Sequence, residues 1–184
     1  MYRNITLVFL LMAAPLLFSQ TNDADKKPNS YVGVETCGMC HKSEKAGKQL
    51  DIWKATKHAQ AYQVLLTTTA DSIAKSRGSK TSAIKTEECL SCHVTTYNVD
   101  ASLIGAKYKV EDGVQCETCH GPGSNYKAIS VMKNKDQAAA NGLNLVTNFD
   151  TFCSKCHNEK SPTFVKQDFK VMWEKIKHTV PKSK

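Results

Sequence analysis

Residues 116–120 read Cys-Glu-Thr-Cys-His, and the same pattern, Cys-x-x-Cys-His, recurs at residues 37–41, 89–93 and 153–157. The four copies use all eight cysteines of the 184-residue chain, so none remains for a disulfide. With six histidines in the chain, finding one after every cysteine pair by chance has odds of about one in a million. The repeated pattern therefore carries the chemistry of this protein.

The histidine in each copy decides what the cysteine pair does. A bare Cys-x-x-Cys also occurs in redox dithiols, which need a βαβ context that these four lack, and in zinc sites. Two four-cysteine zinc sites would leave the four histidines without a shared role. When histidine follows directly, the pattern is typical of c-type haem attachment, in which both thiols bond to the haem and the histidine binds its iron.

We therefore predict four covalently attached haem c groups. The predicted attachment residues are Cys37, Cys40, Cys89, Cys92, Cys116, Cys119, Cys153 and Cys156. The predicted proximal iron ligands are His41, His93, His120 and His157.

The first 20 residues have the pattern of an export signal. Arg3 gives a positive start, an apolar run follows at residues 5–18, and residues 19–21 resemble a cleavage region. The run is shorter than the ~20 residues that span a bilayer, although an uncleaved anchor is the alternative. We predict a periplasmic protein with no stable membrane insertion after cleavage, and extracellular or membrane-associated placement as alternatives. Residues 21–30 would form a flexible lead-in and residues 31–184 one domain.

The formal net charge of +8 argues less for a nucleic-acid partner than it first suggests. Removing Arg3 with the signal makes the charge about +7, and four haems add about −4 when ferric and about −8 when ferrous. The loaded protein should then lie between about +3 and −1. We therefore expect no nucleic-acid binding, and we interpret the lysines as haem-propionate partners and a solvated surface.

The domain should be mainly α, with much irregular structure and a core built from the four haems, in a small multihaem cytochrome c fold. Apolar spacing predicts helices at residues 44–66, 125–142 and 169–178. We expect a short helix or loop at 67–86, a brief extended segment or hairpin at 108–110, and a turn at 121–123.

The histidines are too few for four bis-histidine irons, which would need eight. Beyond the four proximal histidines only His58 and His178 remain, and they can fill two distal positions. At least two irons must take methionine, another weak ligand, a ligand from a neighbouring chain, or nothing. Met132 is the best methionine candidate, because Met39 lies inside a motif loop and Met172 lies on the apolar face of a predicted helix.

Several blocks of the sequence resemble the cytochrome c-554 family, over roughly residues 31–180. The blocks are CGMCH at 37–41, IWK at 52–54, HAQA at 58–61, GVQCETCHGPG at 113–123, and the motifs at 89–93 and 153–157. That family comprises tetrahaem periplasmic carriers that accept electrons from hydroxylamine oxidoreductase in ammonia oxidisers. In that family three haems are bis-histidine, and the haem of the second motif is five-coordinate.

The resemblance implies a ligand scheme. It makes His58 the distal ligand of the haem held by His120, and His178 that of the haem held by His157. The haem of His93 would be the open one.

One position departs from the family. The remaining distal histidine would fall near Ser130, where this chain has none. Met132, two residues away, could substitute as the ligand of the haem at His41.

The prediction for function is a carrier of single electrons between a respiratory redox donor and acceptor, each bound by transient docking. No residue set for hydrolysis, nucleophilic attack or phosphate handling is evident, so we do not expect an enzyme. One alternative is reduction of a small nitrogen oxide such as nitric oxide at an open iron, at His93 or His41. Another is a filament-forming subunit with ligands shared between chains, so the oligomeric state stays open.

Overall fold

A computed structural model describes residues 27–181, so the predicted signal peptide and most of the lead-in lie outside the described residues. The described chain forms short α-helices of four to nine residues. They are α1 Val34–His41, α2 Gln49–Lys54, α3 Ala61–Val64, α4 Thr68–Ser76, α5 Glu87–His93, α6 Cys116–His120, α7 Ile129–Met132, α8 Lys135–Ala140, α9 Phe149–Cys153 and α10 Phe169–Ile176. Single 3-10 turns lie at Ala83–Lys85, Ala101–Leu103 and Val110–Asp112.

The prediction of a mainly α fold with much irregular structure is confirmed. Between residues 27 and 181 the structure has no β-sheet, and extended pairing is limited to an isolated bridge between Tyr31 and Ile104. The expected hairpin near residues 108–110 is absent from this region, and a 3-10 turn follows instead at Val110–Asp112. None of the described helices is long and apolar enough to cross a bilayer.

The predicted helix at residues 44–66 is wrong as a single element. The chain turns between α2 and α3, and this turn runs beside the third motif. Trp53 Nε1 donates to the carbonyl of Val114 at 2.8 Å, and the amide of Val114 donates to the carbonyl of His58 at 3.1 Å. These tertiary hydrogen bonds hold the turn in place, and they fix the backbone at His58.

The two later helix predictions have different outcomes. The segment 125–142 is divided into α7 and α8, because Asn134 caps α8 by accepting from the Gln137 amide at 3.0 Å. The predicted stop at its end is confirmed, with Gly142 at φ 100°. The last predicted helix is confirmed as α10, which ends at Ile176 and leaves His178 in the segment that follows.

The first three motifs lie on helices that each end at the motif histidine, namely α1, α5 and α6. Residues three apart lie on one face of a helix, so both cysteines of a motif face the same way. The fourth motif differs, because α9 ends at Cys153 and turns carry the rest of it. The secondary structure therefore presents three of the four cysteine pairs in one common geometry.

The apolar core that the side chains build by themselves is small. One cluster joins Leu65, Ala74 and Ala83, with Cys89 and Leu90 packed against it. It fixes the helix of the second motif against the chain that precedes it. A domain of this size normally buries a larger set of apolar side chains, which agrees with the expectation that haem supplies much of the interior.

Candidate functional site

Four of the six histidines meet in two pairs. The ring centres of His58 and His157 lie 6.0 Å apart, and those of His120 and His178 lie 5.9 Å apart. Each pair joins a motif histidine to a histidine outside the motifs. The structure therefore brings both predicted distal residues, His58 and His178, to predicted proximal ones.

The separations fit two imidazoles on opposite sides of one iron. With metal–nitrogen distances of ~2.0–2.1 Å and each ring centre roughly 1.1 Å behind its nitrogen, the two centres would be about 6.2 Å apart. Both observed separations are within a few tenths of an ångström of this value. The arrangement of these residues thus fits haem held between two histidines.

The pairing differs from the one that the family resemblance implied. His58 lies against His157 rather than His120, and His178 lies against His120 rather than His157. The course of the C-terminal segment explains the exchange. After α10 the chain returns to the connection between α1 and α2, where a Cβ on Gly47 would clash with the carbonyl of Thr179.

Aromatic packing places α10 beside the fourth motif. Phe149 stacks on Trp173 with ring centres 4.5 Å apart, and Phe169 lies 6.3 Å from the ring of His157. The start of α10 is therefore held at His157, and the helix ends at Ile176, two residues before His178. His178, which follows this end, reaches His120 for that reason.

Four of the histidines have an acceptor for their Nδ1 proton. His93 donates to the carbonyl of Ala61 at 2.6 Å, His120 to that of Asn144 at 3.0 Å, His178 to that of Ile176 at 3.2 Å, and His41 to Gln49 Oε1 at 3.3 Å. A proton held at Nδ1 leaves the Nε2 lone pair free to bind iron, and such acceptors are usual for metal-bound histidine.

Burial favours the neutral, metal-binding form of the paired histidines. Burial lowers the pKa of His58, and the neighbouring His157 lowers it further. Burial also lowers the pKa of His120 and of His157, although the Asn144 carbonyl partly opposes the shift at His120. A neutral imidazole is the form that donates its lone pair to a metal.

The thiols of different motifs lie against one another. Cys116 of the third motif lies close enough to Cys37 of the first to raise the pKa of its thiol, and burial, together with Cys92 of the second motif, raises the pKa of Cys156 of the fourth. Burial raises the pKa of the Cys119 thiol to about 11, and Cys153 adds to this shift. The attachment points therefore follow one another in space in the order first, third, fourth, second.

A cavity of about 860 Å³ opens beside His157. Phe164 and Phe169 supply an apolar wall, and charged side chains of both signs complete the lining: Lys160, Lys166, Asp150, Glu159 and Asp168. Binding pockets for cofactors usually have volumes of ~300–1,000 Å³ and combine apolar walls with a few charged groups. The volume and the apolar wall suit a large ring system beside His157.

His41 and His93 stand outside the two histidine pairs. His41 acts electrostatically on His120, so the first and third motif histidines are neighbours. Met132 is half-buried at the end of α7, where its amide donates to the Ala128 carbonyl at 2.9 Å. Its role as a ligand of the iron at His41 stays a prediction.

The sequence reasoning missed two polar residues at these sites. Gln49 accepts from the His41 ring, and Glu117 lies buried inside the third motif. The spacing of eight residues between His41 and Gln49 has no recognisable signature. The acidic residue between two haem-binding cysteines was visible in the block at 113–123, but its burial was not.

Gly113 supports the position of His58, and its replacement should be costly. Gly113 has φ +68°, and an added Cβ would lie 2.9 Å from the carbonyl oxygen of His58. We expect Gly113→Ala to lower the free energy of unfolding by about 2–4 kcal/mol through backbone strain and overpacking. Urea unfolding of the haem-loaded protein, followed by haem absorbance, measures this.

A matched control is Gly78→Ala, because Gly78 has φ +89° but no atom within 4 Å of the added Cβ. It should lose only about 1–2 kcal/mol from the strained backbone. Equal losses for the two variants would show that the contact with His58 contributes nothing.

The arrangement of cysteines and histidines now defines a class, that of the c-type cytochromes with covalently bound haem. Comparison with known proteins agrees with this class. The family model described as cytochrome c554 and c-prime matches residues 36–121. Cytochrome c-554 of Nitrosomonas europaea is 29% identical over 121 residues, which are 63% of this chain and 49% of that protein.

Both matches support the cytochrome c-554 family and confirm the resemblance that the sequence blocks indicated. The chain spans about half the length of the curated relative that it matches. No solved structure matches the chain.

Proposed function

We propose that this protein is a periplasmic tetrahaem cytochrome that carries single electrons between respiratory redox partners. Haem iron supplies the one-electron chemistry by alternating between the ferric and ferrous states. The chain supplies eight thiols for attachment, four proximal histidines that end or follow short helices, and two distal histidines. Its task is to space the cofactors and to set their potentials.

The contact between thiols of different motifs is the observation that carries this proposal. Cys37 meets Cys116, and Cys92 meets Cys156. Attachment at touching thiols holds neighbouring cofactors close together, as electron passage through a protein requires. A protein built around one reactive iron would have no need for such a series.

Charged side chains of both signs lie beside the first motif, where a redox partner could dock. Lys109 Nζ lies 2.5 Å from Glu35 Oε1 on α1, and it lowers the pKa of Glu35. Lys107 and Lys54 add to that shift, so three ammonium groups surround one exposed carboxylate. Glu111 and Asp112 also act on Lys109, so the three ammonium groups have three carboxylates beside them. We therefore propose that a partner docks here through alternating charges, which favour short-lived complexes, rather than through a basic patch.

A spectroelectrochemical titration combined with a haem count tests the proposal. We expect four haems per chain and reversible uptake of about four electrons, because each motif would hold one one-electron centre. A chain that binds four haems but takes up electrons irreversibly would contradict the carrier function. Fewer than four haems would contradict the tetrahaem assignment.

The position of His93 favours a second candidate function, which is the reduction of a small nitrogen oxide such as nitric oxide. His93 lies outside the histidine pairs, and the Ala61 carbonyl holds its Nδ1 at 2.6 Å. Rapid mixing of the reduced protein with nitric oxide tests this candidate. Haem reoxidation no faster than in a bis-histidine cytochrome of similar potential would exclude it.

A further inference from the structure

Glu117 is a buried acid that the proposed function does not yet use. It lies between the two cysteines of the third motif, and its exposed fraction is 2%. Carboxylates are almost never buried to this degree unless something compensates them. Its surroundings therefore need an explanation.

Backbone amides surround the carboxylate of Glu117. Oε1 accepts from the amide of Gly123 at 2.7 Å and from that of Val32 at 2.8 Å. Oε2 accepts from the amide of Gly33 at 2.9 Å and from Val32 at 3.1 Å. Because both oxygens act as acceptors, the arrangement fits the ionised carboxylate, which carries no proton to donate.

The charge of Glu117 has hydrogen-bond donors but no counter-ion in the part of the chain that the structure describes. The ion pairs found between residues 27 and 181 join other residues, all at the surface. Amide dipoles stabilise a carboxylate without cancelling its net charge. In a low-dielectric interior that charge acts on its neighbours much more strongly than a surface charge does.

The neighbours of Glu117 are haem attachment points. Glu117 directly follows Cys116, whose thiol is in contact with Cys37 of the first motif. Glu117 also accepts from the amides of Val32 and Gly33, which lead directly into α1, the helix that carries Cys37. The charge therefore acts on the attachment points of two motifs, the first and the third.

We propose that Glu117 is a fixed buried negative charge that lowers the reduction potentials of the haems attached at Cys37 and Cys116. Reduction adds an electron, so a nearby negative charge stabilises the ferric form relative to the ferrous one. The haems attached at Cys89 and Cys153 belong to the other pair of motifs and should respond less. This inference rests on the proposed attachment of haem at the first and third motifs.

A purely structural role is the competing explanation, because the same carboxylate ties residues 32–33 to the turn at residue 123. The two roles differ in one measurable quantity. A structural role changes stability whenever the hydrogen bonds are altered, whereas a charge changes potentials only when the charge itself is removed. Variants of matched shape therefore separate them.

The experiment compares the midpoint potentials of three variants with those of the wild-type protein. Glu117→Gln keeps the shape and removes the charge, and Glu117→Asp keeps the charge and weakens the hydrogen bonds. Gln115→Leu is the control, because Gln115 is equally buried at 2% exposure and donates to the Lys109 carbonyl at 2.7 Å without carrying charge. Urea unfolding of each variant measures its loss of stability in parallel.

We expect Glu117→Gln to raise the potentials of two haems and to change those of the other two much less. A unit charge on the order of 12 Å away at an effective dielectric constant near 20 changes a one-electron equilibrium about tenfold, and a tenfold change corresponds to about 59 mV. Glu117→Asp and Gln115→Leu should lose stability with unchanged potentials. Unchanged potentials in Glu117→Gln, or equal shifts in all three variants, would overturn the proposal.

A replacement variant and a haem count complete the experiment. If Glu117→Gln does not mature, Glu117→Ala replaces it, because it also removes the charge; raised potentials of the same two haems would support the proposal and unchanged potentials would contradict it. The haem count of the wild-type protein separates this inference from the proposed function. If the protein holds four haems whose potentials do not change when Glu117 is replaced, only the inference is refuted. If haem is lacking at the third motif, the proposed function on which the inference rests is refuted.

Discussion

His58→Ala should convert one iron in about four from low-spin to high-spin, because it removes the imidazole that faces His157 at a ring separation of 6.0 Å. The affected haem should be the one attached at Cys153 and Cys156. Electron paramagnetic resonance of the ferric protein measures the change. The neighbouring exposed residue provides the control, and Lys57→Ala should leave the spectrum unchanged.

A second variant decides which haem His58 serves. Replacing Cys153 and Cys156 by serine removes the attachment points of the fourth haem, and in that background His58→Ala should add no further high-spin signal. A further signal there would mean that His58 binds the iron of another motif, as the family resemblance implied for His120. In the same background His178→Ala should still add a high-spin signal, because its ring lies 5.9 Å from that of His120, the proximal histidine of the third motif.

Loss of the third haem should abolish the fold, whereas loss of the fourth should not. We expect the variant with Cys116→Ser and Cys119→Ser to fail to accumulate as a folded protein. The variant with Cys153→Ser and Cys156→Ser should accumulate with one haem fewer. Intact mass, haem count and circular dichroism of the exported protein measure both outcomes.

The reason for this difference is the position of α6 at the meeting point of distant segments. The Tyr126 hydroxyl donates to the Gly121 carbonyl at 2.6 Å, and Asn144 Nδ2 donates to the Cys119 carbonyl at 3.0 Å. Through Glu117 the same helix also holds Val32. By comparison, α9 packs mainly against α10. Equal accumulation of the two cysteine variants would contradict this ranking of the two sites.

The sequence allowed the cofactor type to be predicted because the attachment motif is local. Each copy needs only five consecutive residues, and a helix ending at the histidine follows from that spacing in α1, α5 and α6. The helix α10 could also be predicted, since its apolar face repeats at helical spacing. These features depend on neighbours in the sequence and need no knowledge of the tertiary structure.

The pairing of ligands could not be predicted, because it depends on contacts between residues far apart in the chain. His178 reaches His120 only because the segment after α10 returns to Gly47. The helix predicted at residues 44–66 failed for a similar reason. Trp53 donates to the carbonyl of Val114 and the amide of Val114 donates to the carbonyl of His58, and these two bonds hold a turn where the apolar spacing favoured a continuous helix.

The composition nevertheless predicts that the four irons cannot all have the same axial ligands, and the structure agrees. Six histidines cannot supply eight axial positions, and the structure places four of them in two pairs. His41 and His93 remain as the histidines whose irons would have a different partner. Functional differences between the haems should therefore be sought at the first and second motifs.

The coordination of each iron in the ferric wild-type protein is the decisive quantity for the ligand arrangement. Electron paramagnetic resonance gives the spin states, and near-infrared magnetic circular dichroism distinguishes bis-histidine from histidine–methionine ligation. We predict four haems per chain, of which two are low-spin with bis-histidine ligation and two have a different coordination. Four equivalent bis-histidine irons, or a chain with no bis-histidine iron at all, would contradict it.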